Sequence, residues 1–457
     1  MIFFKRKDKR GDADEAPIDV KADSGAAAEN QQREIAARQN EALPPFKDLV
    51  YDAIIKNAEK TMLDYGRDAV SGSYLIDGVW HSIEARDRES GDAMLVAVKR
   101  LCGMKPEERR ARQEGKFLVE HRITKAKFTG KVTAQGVKTG ERVMIEVRPK
   151  KAKGFKTLDD IGMREQMQER LREHMRAEGG IVLIAAPPGG GFTTTWNVSL
   201  NSTDRLLRDF VGIEDKGQHE TDVENINMHL FDRAAGETPD KMLHRIMLTQ
   251  PDVLSLADFC NAETVNKLSQ LATAAREPKL IIAGVRAKDA VEALLRVLLL
   301  KASAPEFAKA VRAVLCVRLI RKLNDTCKQP YPPPPQLLQK LGIPPGRVQA
   351  LYREWQPPPP EAEEEKRKKR KALPPGTCPL CELEGPQCHG IFYRGRTGIF
   401  ELLDVNDALR DALVKKPQLE ILRSLAKKGG HRGLQEEGIL LVARGVTSLN
   451  ELQRVMK

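Results

Sequence analysis

Between Ala186 and Thr193 the chain reads A-P-P-G-G-G-F-T, with the spacing of a loop that cradles phosphate. In an intact loop, G-x-x-x-x-G-K-[ST], backbone N–H groups and a helix N-terminus hold the phosphates. A lysine neutralises the β- and γ-phosphates, and the hydroxyl residue holds Mg²⁺. Here Gly189, Gly190 and Gly191 are present, with Thr193 at the hydroxyl position and Thr194 and Thr195 after it. The first glycine position is Ala186, and the lysine position is Phe192. The backbone nest is therefore kept while its main positive charge is gone. One charge-assisted bond is worth roughly 1.5–3 kcal/mol, about tenfold to a hundredfold in affinity. A transition state loses more, about 10²–10³ in rate for one preorganised charge partner. The plainer reading is that Phe192 packs into the core and the glycines make a tight strand-to-helix turn.

An apolar run, GIVLIA, precedes this loop and a helical stretch follows it. Buried strands then alternate with helices: FVGIED, then PDVLSLAD before NAETVNKLSQLATAA, then KLIIAGVR before AKDAVEALLRVLLL. That alternation predicts an α/β domain over 151–330, with a parallel sheet covered on both faces. Upstream, FKDLVYDAIIKNAEKTML has apolar residues at helical spacing, and SYLIDGVWHSIEA reads as a hairpin turning at Asp77-Gly78. AMLVAVKRLCGM reads as a second amphipathic helix. Three strand-like pieces between Glu120 and Pro149 complete a small α+β domain over 44–150. Residues 1–43 are polar and Ala-rich, which predicts a disordered or loosely helical tail. Proline runs at 332–335 and 357–360 and a charged stretch mark an insertion over 331–376. Its basic run, 366–371, follows four glutamates, which favours a solvated linker over a lipid or nucleic-acid site. A Cys-containing helical domain spans 377–457.

Composition sets wide bounds. The chain has 457 residues, enough for several domains, and 41% are apolar, so most of it folds. Lys plus Arg number 76 against 64 acidic residues, and the net +12 favours anionic partners without choosing among them. No aromatic-rich basic strand or recognition helix supports a nucleic-acid binder, so no nucleic acid is expected as a partner. No apolar run reaches the roughly 18 residues that a membrane span needs. The start, MIFFKRKDKR, has the wrong order for a signal peptide, and a cytoplasmic location is expected. Seven cysteines, three of them clustered at Cys378, Cys381 and Cys388, suggest a metal site more than a disulfide framework.

Several stretches together resemble one family, the hexameric ATPases of type II secretion and type IV pilus assembly. The resemblance runs from about Phe46 to Lys457. YLIDGV, EERRARQEGKF and TGERVMIEV are similar to that family's N-terminal sensor-like domain, and FKTLDDIGM to its entry into the motor domain. GIEDK resembles its aspartate box, with Glu214 and Asp215 kept and Lys216 in place of proline. TQPDVLSLADFCNAETV resembles its Walker B stretch, and VRLIRKLNDTCKQPY, YRGRTGIFELL and LQEEGILLVARGVTSLNELQRVM its C-terminal parts. The resemblance implies a RecA-like P-loop NTPase core with a parallel sheet, a sensor-like α+β domain before it and a helical C-terminal domain after it. It also implies ATP and Mg²⁺ as cofactors. Gly189, Gly190, Gly191, Phe192, Thr193, Thr194, Asp215 and Arg286 would be the nucleotide-binding positions, and Glu214 and Asp258 the catalytic ones.

The departures from the family all fall on chemistry. The Walker B glutamate is Asp258, one methylene shorter, and the adjoining Arg and Asp are Cys260 and Asn261. The histidine box reads V-R-A-K-D, so its His is Arg286. The family's strand before IDG carries arginines that reach a neighbour's nucleotide, and the positions that resemble them here are Ser73 and Leu75. In-line phosphoryl transfer rests on positioning and charge, so losing these together implies weak or no ATP hydrolysis. The alternatives are a working motor and a non-catalytic scaffold or regulatory subunit of the same machine. The implied partners are copies of itself in a hexamer, or an intact paralogue, and platform proteins at the inner membrane. The family commonly holds zinc through two CxxC pairs. Here Cys378 and Cys381 form one, and Asn324 and Cys327 leave the other half lost. Cys388 or His389 would supply the fourth ligand, and reduced, unliganded thiols are the alternative. Cys102, Cys260 and Cys316 read as buried packing residues.

Overall fold

A computed structural model describes residues 16–38, 41–150, 154–344, 346–356, 388 and 390–457. It divides into two compact units, Met1–Gly154 and Phe155–Lys457.

The first unit is an antiparallel seven-stranded sheet with helices against it. In spatial order its strands are Ile18–Ala22, Gln113–His121, Lys127–Val137, Gly140–Pro149, Ala58–Tyr65, Ala69–Ile76 and Val79–Asp87. The expected hairpin turns at Asp77 and Gly78, both with positive φ, 49° and 78°, as a tight two-residue hairpin loop demands. Two expectations need correction. The tail over 1–43 is not loose throughout: Ile18–Ala22 pairs with Gln113–His121, and Ile18 is fully buried. Only its alternate residues are apolar, and Asp19 and Lys21 between them hide the pattern. The helix read through Leu63 ends at Ile55, because Asn57 takes φ 53° and turns the chain into the strand Ala58–Tyr65.

Beneath this sheet, Lys99 is fully buried and paired with the Glu141 carboxylate, which is 3% exposed. The Lys99 ammonium also donates to the Glu108 carbonyl at 2.7 Å. Each charge is tolerable out of water only because the other is there.

The second unit is built on a seven-stranded sheet. Its spatial order is Asn227–Phe231, Phe210–Asp215, Val253–Leu256, Leu280–Val285, Gly180–Ala185, Val311–Leu323 and Tyr393–Asp404. The first six run parallel and the last is antiparallel to Val311–Leu323. The fully buried central strand Gly180–Ala185 shows why its sequence is apolar throughout. Ile181, Leu183 and Ala185 face one core, while Val182 and Ile184 face the other. The parallel α/β core is thus as the strand–helix alternation predicts. The C-terminal segment differs from the separate helical domain expected over 377–457. Tyr393–Asp404 joins this sheet along most of Val311–Leu323, and four helices from Asp407 to Met456 follow it. In the insertion, Gln329–Tyr331 pairs with Leu351–Arg353, and the first proline run ends by starting the helix Pro335–Lys340. The run at 357–360 and the basic run lie outside the described residues.

The buried pair gives a test. Lys99→Met alone leaves Glu141 charged and uncompensated, and should cost about 3–5 kcal/mol in denaturant unfolding of the whole chain. Lys99→Met with Glu141→Leu should recover most of that loss. Equal losses in the single and double variants would show that the pair does not hold this unit together.

Candidate functional site

The central strand Gly180–Ala185 ends in the glycine loop at the carboxyl edge of the sheet, where ligands of open parallel sheets bind. Gly189 and Gly191 have φ of +71° and +98°, which side-chain-bearing residues rarely adopt. A Cβ on Gly191 would also lie 2.9 Å from Leu319 Cδ2. Gly191 caps the helix Phe192–Asn201, which opens with Thr193 and Thr194, both exposed. The backbone of a phosphate cradle is present.

The side chains tell a different story, beginning with Phe192. Its ring is 3% exposed and stacks on Trp196, with centroids 5.6 Å apart and planes 17° from parallel. The ring tip abuts Gly284, where any Cβ would come within 2.5 Å of it. Over the ring lies Arg286, its guanidinium carbon 3.8 Å from the centroid. A cation therefore stands beside the loop, delivered from the end of Leu280–Val285 rather than from the loop helix. It is already engaged, because Arg286 also donates to the Glu220 carboxylate.

Glu214 and Asp258 are likewise committed. Glu214 is 2% exposed and accepts from the backbone N–H groups of Glu220 and Thr221, each at 3.0 Å, and from the Thr221 hydroxyl. His219 Nδ1 lies 2.7 Å from its other face. Asp215 accepts from Gly217 N at 3.1 Å and has Arg233 Nε 3.9 Å away. Arg233 donates to Asp258 Oδ2 and to Cys260 Sγ, both at 2.7 Å. Asp258 raises the pKa of Arg233, and burial followed by Asp258 pushes the Cys260 thiol up to about 11 against the opposing pull of Arg233. Cys260 packs against the core as expected but is only half-buried, at φ +68°, and its thiol also meets an arginine. Asn261 caps the helix Ala262–Ala272, accepting from Thr264 N at 2.8 Å.

The cavity bounded by Glu214, Asp215, Arg233, Asp258, Gly284 and Arg286 measures about 110 Å³. None of the loop residues 186–195 lines it, so this volume describes the space beside the loop and not the space over it. The loop backbone suits a phosphate, but the side chains around it do not suit a magnesium nucleotide. Both arginines are paired, Glu214 is turned to its own chain, and the Thr193 hydroxyl donates to Glu220. Sequence reasoning missed Arg233 and Glu220. No local motif marks them, because parallel pairing and a crossing segment bring them in.

Ser73 and Leu75 lie on the strand Ala69–Ile76 of the first unit. Cys327 and Cys388 are buried together against Trp355 and Phe392, while Cys378, Cys381 and His389 lie outside the described residues. Among the described residues no cluster of three or more His, Cys, Asp or Glu side chains is arranged to hold a metal, so the zinc expectation gains no support. No helix among them is long and apolar enough to cross a membrane.

The profile of the family described as "Type II/IV secretion system protein" matches residues 38–454. The chain is 25% identical over 408 residues to the type IV pilus assembly ATPase PilB of Thermus thermophilus, covering 89% of this chain but only 42% of that one. It is 24% identical over 406 residues to type II secretion system protein E of Pseudomonas aeruginosa, covering 89% and 74% of the two chains. Among solved structures, the ATPase DotB of Legionella pneumophila superposes with a TM-score of 0.53 at 11% identity, over 90% of this chain and 95% of that one. That likeness shows a common fold.

Two measurements check the site. Phe192→Ala should destabilise the second unit by about 3–5 kcal/mol in chemical unfolding, since it empties a ring-sized space. A loss below about 1 kcal/mol would mean that the ring is not part of the core. Alkylation of Cys260 should be slow at pH 8 and climb until the pH passes about 11, because only the thiolate reacts. Asp258→Asn removes one of the charges that raise this pKa and should speed labelling at pH 8.

Proposed function

The chain belongs to the type II/IV secretion system protein family, and from that premise we propose that it is a motor-type subunit with weak or no ATP hydrolysis of its own. The machine it serves is a type II secretion or type IV pilus assembly system. It acts there beside copies of itself in a hexamer or beside an intact paralogue, on the cytoplasmic face of the inner membrane and against platform proteins.

One observation carries this reading. The position that would bring a lysine to the phosphates holds a ring buried against Trp196 and Gly284, with the nearest cation laid over it. Three further features support it. Asp258, where the family has Glu, is tied to Arg233. Glu214 spends its oxygens on its own chain. The cavity between them is small. Residues that keep the fold are retained, while those that would move a phosphoryl group are altered or engaged. In this role the chain transmits or positions movement made by another subunit, as a scaffold or regulatory member. Any nucleotide it holds would rest on the backbone of Gly189, Gly190 and Gly191 and the first turn of the loop helix.

Phosphate release from MgATP by the purified full chain tests this directly. The expected rate is at buffer background. Turnover near 1 s⁻¹ or above, the ordinary enzymatic range of roughly 1–10³ s⁻¹, would sink the proposal. Phe192→Lys should not restore turnover, because the new ammonium would meet Arg286 and Asp258 would stay bound to Arg233.

A further inference from the structure

The segment after the strand Phe210–Asp215 crosses the loop helix and is fastened to one face of it. Thr193, Trp196 and Asn197 fall at i, i+3 and i+4, so their side chains share a stripe. Each of the three bonds the crossing segment. The Thr193 hydroxyl donates to the Glu220 carboxylate, and Trp196 Nε1 donates to Thr221 Oγ1 at 2.8 Å. Asn197 Nδ2 donates to the Glu220 carbonyl at 2.8 Å, and Asn197 Oδ1 accepts from Asp222 N at 2.7 Å. From the opposite side, Glu214 holds the backbone N–H groups of Glu220 and Thr221.

What this fastening delivers is a carboxylate. Glu220 is 9% exposed, and its two oxygens divide between the Thr193 hydroxyl and the Arg286 guanidinium, with Gln218 Nε2 3.2 Å from the second. Thr193 is the hydroxyl of the loop, in the first turn of its helix, where the helix dipole favours an anion. Arg286 is the cation beside it. A nucleotide that used the loop hydroxyl or the Arg286 cation would have to displace this carboxylate from them.

We propose that Glu220 is a built-in anion that holds the Thr193 hydroxyl and the Arg286 guanidinium and so competes with any nucleotide for these two groups. This rests on the reading of the site as a degenerate nucleotide loop. It extends that reading from a missing lysine to a contact that keeps two side-chain groups beside the loop engaged. The loop's affinity is then set by two things that can be separated: the charge lost at Phe192 and the charge supplied at Glu220. Vacating the site requires the crossing segment to lift from the helix stripe. A partner that pulled on that segment would thereby open the loop.

The test is titration of the full-length protein with a fluorescent ATP analogue and Mg²⁺, for wild type, Glu220→Gln, Glu220→Asp and Asp222→Asn. Melting temperature and circular dichroism are recorded for each, and phosphate release is measured in parallel. Glu220→Gln should bind the analogue about tenfold or more tightly than wild type, because one charge-assisted competitor is gone. Glu220→Asp, which keeps the charge but withdraws it by one methylene, should gain less and is the safer variant for folding. Asp222→Asn makes the same change in net charge at an exposed position two residues away and should change nothing. Unchanged or weaker binding in folded Glu220→Gln and Glu220→Asp, or an equal gain in Asp222→Asn, would overturn the proposal. Turnover by the wild type would instead defeat the underlying reading, so the two failures are distinguishable.

Discussion

The Phe192 ring occupies a slot made by Trp196 on its own helix and by Gly284 on the neighbouring strand, and its packing governs the chemistry around it. A side chain at 284 would collide with the ring, so the glycine and the phenylalanine are fitted to one another. With the ring in place, Arg286 has an aromatic face to lie on, an arrangement worth about 0.5–2 kcal/mol. From there it reaches Glu220, and Glu220 reaches Thr193. A single apolar burial at the first residue of a helix thus sets the partners of a cation, a carboxylate and a hydroxyl in turn.

The opposite wall of the cavity is organised by Arg233. It follows the strand Asn227–Phe231 and meets Asp258 and Cys260 beyond the end of Val253–Leu256. Because these parallel strands share a carboxyl edge, residues far apart in the chain arrive at one place, which is the general property of open α/β sheets. In this chain that edge carries the ion pairs Arg233–Asp258 and Arg286–Glu220. Arg233 and Asp258 are both exposed, so their pair is worth only about 0–1 kcal/mol, whereas the Glu220 carboxylate paired with Arg286 is buried.

The parallel core, the Asp77-Gly78 hairpin and the three strands ending near Pro149 were all legible from patterning, since burial imposes the residue periods that patterning reads. The strand Ile18–Ala22 was not, because an edge strand with charged alternate residues carries a weak signal inside a polar stretch. Patterning alone does not reveal that Tyr393–Asp404 belongs to the parallel core, because the strand it pairs with, Val311–Leu323, lies far earlier in the chain.

At the site the division falls along the same line. The sequence alone determined that a glycine loop of phosphate-binding spacing stands between a buried strand and a helix, and its resemblance to the family singled out Phe192, Asp258 and Arg286 as departures. Residue identity and spacing are local facts, and glycines at fixed positions need no distant partner to be read. Tertiary structure decided what those replacements do. It laid Arg286 on Phe192, gave Asp258 to Arg233 and brought Glu220 to Thr193. None of these pairings follows from spacing along the chain. Each depends on strand register and on one segment crossing a helix face, and both are fixed by the packing of the whole sheet.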